Sequence, residues 1–121
     1  MSSRAFHGTY EEERRHFLTT LHAQIHILRD NHNDGVEMAI DSLNLLLRRV
    51  NGLRIAGQAH FKHDNTSWTS RCNKIYHRVE YFIDALRSDR SSSCRVANDI
   101  ERFRQIEATE VVPRRLSLGV D

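Results

Sequence analysis

Apolar positions recur along this chain at intervals of three and four residues. Between Thr66 and Arg87 they are Trp68, Cys72, Ile75, Val79, Phe82 and Leu86, with gaps of four, three, four, three and four. That period belongs to one face of an α-helix that buries a seam against neighbours. Arg71, Lys74 and Arg78 follow the same spacing on one flank of the seam, and Glu80 and Asp84 lie on the other. The stretch predicts a helix with an apolar, a cationic and an acidic edge.

Three more helices are predicted by the same reading. Thr9, with Glu12 three residues on, forms a capping box. Glu11, Glu12 and Glu13 suit the positive end of a helix dipole. The first helix is therefore predicted from Tyr10 to about Asp30, with Phe17 or Leu18, Leu21, Ile25 and Leu28 on its seam. It ends in the turn formers Asn31-His32-Asn33-Asp34-Gly35. The second begins near Asp34, with Val36, Ile40, Leu43, Leu47 and Val50 on its seam and Leu45 and Leu46 widening the apolar face. Two ends are open to it. It stops at Asn51-Gly52, or it continues to about Phe61, which the apolar residues Leu53, Ile55, Ala56 and Phe61 favour. Asn65 or Thr66 caps the third helix. After the polar connection Ser88 to Ser93 comes a fourth, with Val96, Ile100, Phe103 and Ile106 inward, ending near Glu110 before Val111-Val112-Pro113.

Four amphipathic helices on short polar turns predict an all-α fold, a small antiparallel bundle that dimerisation can complete. The predicted organisation is a flexible N-terminal arm (1–8), one helical domain (9–110) and a flexible C-terminal tail (111–121). At 121 residues there is room for one core. One Pro and five Gly suit helices and argue against a β-sandwich. Met1 to Tyr10 has no apolar leader, and the longest run from Leu45 to Leu47 is far too short to span a membrane. The expectation is a soluble, cytoplasmic protein whose two cysteines, Cys72 and Cys94, stay reduced.

Charge adds a second pattern. Residues 1–41 hold four Arg against seven acids, a balance of −3. Residues 42–79 hold Arg48, Arg49, Arg54, Lys62, Arg71, Lys74 and Arg78 against Asp64 alone, a balance of +6. Residues 80–121 come to −1. Arg outnumbers Lys sixteen to two, and its planar donors suit carboxylates and phosphates. A codon bias toward Arg accounts for the same ratio.

Catalytic candidates are thin. His22 and His26 stand four apart, a spacing that can grip a metal, but no second pair of ligands is identifiable. His60 and His63 are in the same position. Cys72 lies on an apolar seam, and Cys94 lacks a partner that would activate it. Gly52 and Gly57 do not make a phosphate loop. No enzyme, cofactor or metal site is expected. The tail Arg114-Arg115-Leu116-Ser117-Leu118 matches a basophilic kinase pattern at Ser117 and an Arg-x-Leu docking pattern; a disordered tail is the simpler reading.

The basic block is what remains. If the second and third helices form a hairpin, its seven cations approach one another, and Arg71 to Arg78 covers on the order of 10 Å along a helix. Arg54 is the most pointed of them, because an Arg on a helix seam must find an acid, end the helix or face a ligand. Duplex RNA is gripped mainly through its backbone and 2′-hydroxyls, which calls for cations and small polar groups such as Ser67, Ser70 and Asn73. The scheme of a compact, dimerising helical protein that lays basic helices along duplex RNA resembles the small RNA-silencing suppressors of insect nodaviruses. That resemblance lies in architecture and charge placement and transfers no residues. The first expectation is a non-catalytic, sequence-independent binder of double-stranded RNA, a homodimer, contacting phosphates through those seven cations. The rival is an adaptor that meets another protein through Trp68, Tyr76, Tyr81 or Phe82.

Overall fold

The computed structural model describes residues 3–109, with the backbone alone for residues 3–8, His32 and Asn33. The predicted tail and Ser117 lie outside the described residues. Four helices follow in order: α1 (Ser3–Asp30), α2 (His32–His60), α3 (Thr66–Ser88) and, after a short 3-10 turn at Arg90–Ser92, α4 (Ser93–Thr109). Among the described residues there is no strand.

The boundaries depart from the sequence reading in instructive places. Residues 3–8, expected as an arm, are helical, so Thr9 lies inside α1 rather than at its start. Gly8 is the one poor helix former in that stretch, and a single Gly costs only about 1 kcal/mol. The turn between α1 and α2 shrinks to Asn31. Its backbone N–H donates to the Ile27 carbonyl at 3.1 Å, and its carbonyl accepts from the Asp34 N–H at 3.1 Å. Asp34 then sits in the first turn of α2, where its charge favours the helix dipole. α2 runs through Asn51-Gly52 to His60, the longer of the two predicted forms. Asn65 precedes α3 without a side-chain cap; its carbonyl accepts the Thr69 N–H at 2.8 Å instead. Before α4, the Asp89 carboxylate accepts from the Ser91 N–H (3.0 Å) and hydroxyl (2.6 Å), which shapes the 3-10 turn.

Short turns make successive helices antiparallel. α1 packs between α2 and α4, α2 packs between α1 and α3, and α3 touches α4 far less than it touches α2. The main core is a continuous cluster drawn from all four helices, with Leu21, Leu28, Val36, Leu43, Val79, Phe82, Leu86 and Ile100 sealed from solvent. A satellite of Tyr10, Trp68 and Cys72, backed by Leu53, Ala56 and Phe61, closes the end where α1 starts, α2 ends and α3 starts. There the Trp68 indole N–H donates to the Arg54 carbonyl at 3.1 Å. The ring lies directly over Gly57, and a β-carbon at that position would overlap it. Three apolar residues assigned to the interior are instead outside: Leu45 (58 % exposed), Ile55 (54 %) and Ile106 (58 %). Leu46, next to Leu45, takes the inward place.

Candidate nucleic-acid interface

Where α3 and α4 draw apart, a groove opens between them. Its α3 wall is the flank carrying Arg71, Lys74 and Arg78, with Ser67, Ser70 and Ile75. Its α4 wall is Arg102, Phe103, Ile106 and Glu107. The placement follows from period. The α3 residues that face the core are Trp68, Cys72, Val79, Phe82, Ile83 and Leu86. Arg71, Lys74 and Arg78 fall on one side of that stripe and turn toward α4, over about 10 Å of helix.

The four cations of the groove differ in how far they are committed. Arg71 is largely enclosed, with 17 % of its side chain exposed, and its guanidinium meets the Glu107 carboxylate at 3.4 Å. Glu107 is held in turn, because Arg14 reaches from α1 and donates to the carbonyls of Glu107 (3.0 Å) and Ala108 (3.3 Å) at the end of α4. A cation at a helix C-terminus is favourable for the dipole. Arg71 also stands beside Tyr10, whose phenol is pushed up by burial while the Arg71 charge pulls it back. Arg78 lies 5.6 Å and 5.7 Å from the ring centres of Phe82 and Tyr81, cation–π contacts that orient it and leave its donors to solvent. Lys74 and Arg102 are exposed and make no ion pair among the described residues. Against these four cations the groove holds one acid among the described residues, Glu107.

The other predicted cations lie elsewhere. Arg48 lines a separate groove between α2 and α3 with Asp41, Leu47, Asn51 and Tyr76. Arg49 pairs with Glu13 of α1 at 3.3 Å. Arg54 is half-buried on α2, where it donates to the amide oxygens of Asn51 (2.7 Å) and Gln58 (3.4 Å). It finds neither an acid nor a helix end; two neutral amides on its own helix take its donors. Lys62 is exposed in the turn between α2 and α3. Ser67 and Ser70 do line the basic groove, whereas Asn73 faces a shallow opening beside Gln58 and Thr69. Of the seven predicted contacts, the structure brings Arg71, Lys74 and Arg78 together. It adds Arg102, which sequence reasoning passed over because α4 sits in an acidic block. The available signal was the seven-residue spacing of Arg95 and Arg102, which puts both on one flank of α4.

Other candidate chemistry is plain. His22 and His26 stand exposed with ring nitrogens 3.3 Å apart, and no group of three or more potential metal ligands occurs among the described residues. Cys72 is buried, Cys94 is exposed, and both thiols are free. Burial pushes the Cys72 thiol up to about 11. No helix among the described residues is long and apolar enough to cross a membrane. Comparison with protein-family models, with curated proteins and with solved structures finds no significant match.

Proposed function

We propose that this chain is a non-catalytic, cytoplasmic RNA-binding protein that holds double-stranded RNA by its phosphate backbone, without sequence preference, in the groove between α3 and α4. One observation carries the reading: Arg71, Lys74, Arg78 and Arg102 line a single groove in which Lys74 and Arg102 have no carboxylate partner among the described residues. Unpaired cations beside hydroxyls match what a duplex RNA presents along its backbone and shallow minor groove. The working form is a homodimer. Sequestering duplex RNA, as a viral suppressor of RNA silencing does, is one use of such an activity.

The assay is retention of a short RNA duplex at low and moderate salt. The triple variant Lys74→Ala/Arg78→Ala/Arg102→Ala loses most binding and much of the salt dependence, because fewer counterions are released. Lys62→Ala, in the turn between α2 and α3 and outside the groove, binds like the parent. Equal retention by the triple variant would remove the groove from the argument.

A second reading has its own observation. Ile106 is 58 % exposed in the same groove, beside Phe103 and Ile75. An apolar floor with a cationic rim suits the acidic amphipathic helix of a partner protein. The ultraviolet absorbance ratio of protein purified at low salt separates the two: co-purifying nucleic acid favours the first, clean protein that captures one polypeptide the second.

A further inference from the structure

The outward face of α2 is unusually apolar for a surface helix. Met38 (57 % exposed) and Leu45 (58 %) stand seven residues apart, two turns along one stripe. Seven residues further on, the stripe meets Gly52, over which a β-carbon would touch nothing within 4 Å. The stripe is bordered by Asp41 and Arg48, both exposed and neither in an ion pair among the described residues. They are separated by about 10 Å along the helix, too far to pair with each other.

We infer that this face is the contact between two copies of the chain, with the two α2 helices crossing antiparallel about a twofold axis beside Leu45. The charges select the second copy as the occupant. In an antiparallel pair, Asp41 of each copy falls opposite Arg48 of the other, so both unpaired charges are matched twice by one symmetry operation. That register also fixes the apolar contacts. The two Leu45 side chains meet at the axis. Met38 of each copy enters the open space over Gly52 of the other, a knob received by a position with no side chain. Helix dipoles in opposed directions add a further favourable contribution. Sliding the pair so that Leu45 meets Ile55 would bury the same kind of surface but leave Asp41 and Arg48 unmatched. The inference shares with the proposed function only the expectation of a homodimer, and none of these residues lines the basic groove.

A single pair of crossed helices is a small interface, so the dimer is concentration-dependent. Sedimentation velocity of the full chain over a dilution series reads it. The parent passes from dimer to monomer on dilution. Leu45→Glu, which sets two carboxylates together at the axis, is monomeric throughout with unchanged helix content by circular dichroism. Asp41→Arg alone and Arg48→Asp alone are each weakened at least tenfold. Mixed one to one, the two variants form a heterodimer near parental strength, since each mismatch is repaired across the axis. A parent that stays monomeric at every concentration overturns the inference. So does a Leu45→Glu protein that still dimerises, or a mixture that associates no better than its components. Duplex-RNA retention, measured separately on Leu45→Glu, distinguishes the two proposals: a monomer that still binds RNA sustains the groove, and loss of RNA binding by a parental dimer does not touch the α2 contact.

Discussion

Replacing Gly57 by alanine reverses an ordinary rule. In the middle of a helix, Gly→Ala stabilises by about 1 kcal/mol because the backbone of Ala is less free when unfolded. Gly57 is buried under Trp68, and the added methyl would overlap the indole nitrogen and two ring carbons. The ring is fixed by its hydrogen bond to the Arg54 carbonyl and by packing against Tyr10 (5.7 Å between centroids) and Phe61 (5.9 Å). Displacing it is an overpacking event of about 1–3 kcal/mol, with about 1 kcal/mol more for the lost hydrogen bond. The net expectation is a loss of about 2 kcal/mol, or roughly 10 °C in Tm for a domain of this size. Gly52→Ala, at an open position on the same helix, gains up to about 1 kcal/mol. Urea titrations of both variants, at concentrations low enough to keep the chain monomeric, give the difference. Trp68 is the single tryptophan, so its emission reports the displacement directly and shifts to the red in Gly57→Ala alone. A Trp68→Leu background frees the space, and the Gly57→Ala penalty shrinks there. Equal stability of the two Gly→Ala variants, with unshifted emission, would refute the placement of Trp68 over Gly57.

Two further outcomes follow from the partly enclosed groups. Glu107→Gln removes the charge facing Arg71 and lowers stability by about 1–2 kcal/mol, between the values for exposed and buried pairs; the same variant retains duplex RNA more tightly, because the groove loses the acid that faces its cations. At neutral pH a thiol reagent modifies exposed Cys94 rapidly and Cys72 only on unfolding. The folded Cys72 keeps its proton to about 11 against an ordinary value of 9.0. Between those pH values the unfolded chain binds fewer protons than the folded one, so stability falls as pH rises. Cys72→Ala flattens that fall, and Tyr10, raised in the same direction, leaves a remainder.

Period carried the fold. Of the six seam residues in α3, Trp68, Cys72, Val79, Phe82 and Leu86 are buried and Ile75 packs against the core. An apolar identity does not by itself set an inward direction. Leu45 and Leu46 are adjacent and chemically equal, yet a helix can turn only one of them to the core. Ile106 continues a spacing of three from Phe103 and so drifts off the stripe of α4 into the groove. Helix starts were the weakest point: a capping box at Thr9 and turn formers at 31–35 are local preferences of about 1 kcal/mol, and packing of long helices overrides them. The cations fared by the same logic. Their flank on α3 was legible from spacing, but whether that flank faces α2 or α4 depends on which helix closes the bundle there, and no local pattern encodes that.

The acidic blocks at either end of the sequence decide what the central basic block can do. Folded, they come to it: Glu13 of α1 takes Arg49, and Glu107 of α4 takes Arg71. Elsewhere Glu37 pairs with Arg90, and Glu101 with Arg104 at 3.1 Å. Such pairs on a surface are worth little to stability, yet they fix where positive charge is left uncompensated. A cation already neutralised by its own chain releases few counterions when a phosphate arrives. The salt dependence of duplex binding therefore counts the unpaired cations of the groove, Lys74, Arg78 and Arg102, rather than the seven of the sequence block. At about 0.9 per neutralised phosphate, the logarithmic slope is near −3 for each groove engaged. A slope of about −6 from one protomer would mean that Arg48, Arg49, Arg54 and Lys62, which lie outside the groove, also reach the RNA, and would refute the groove as the seat of binding.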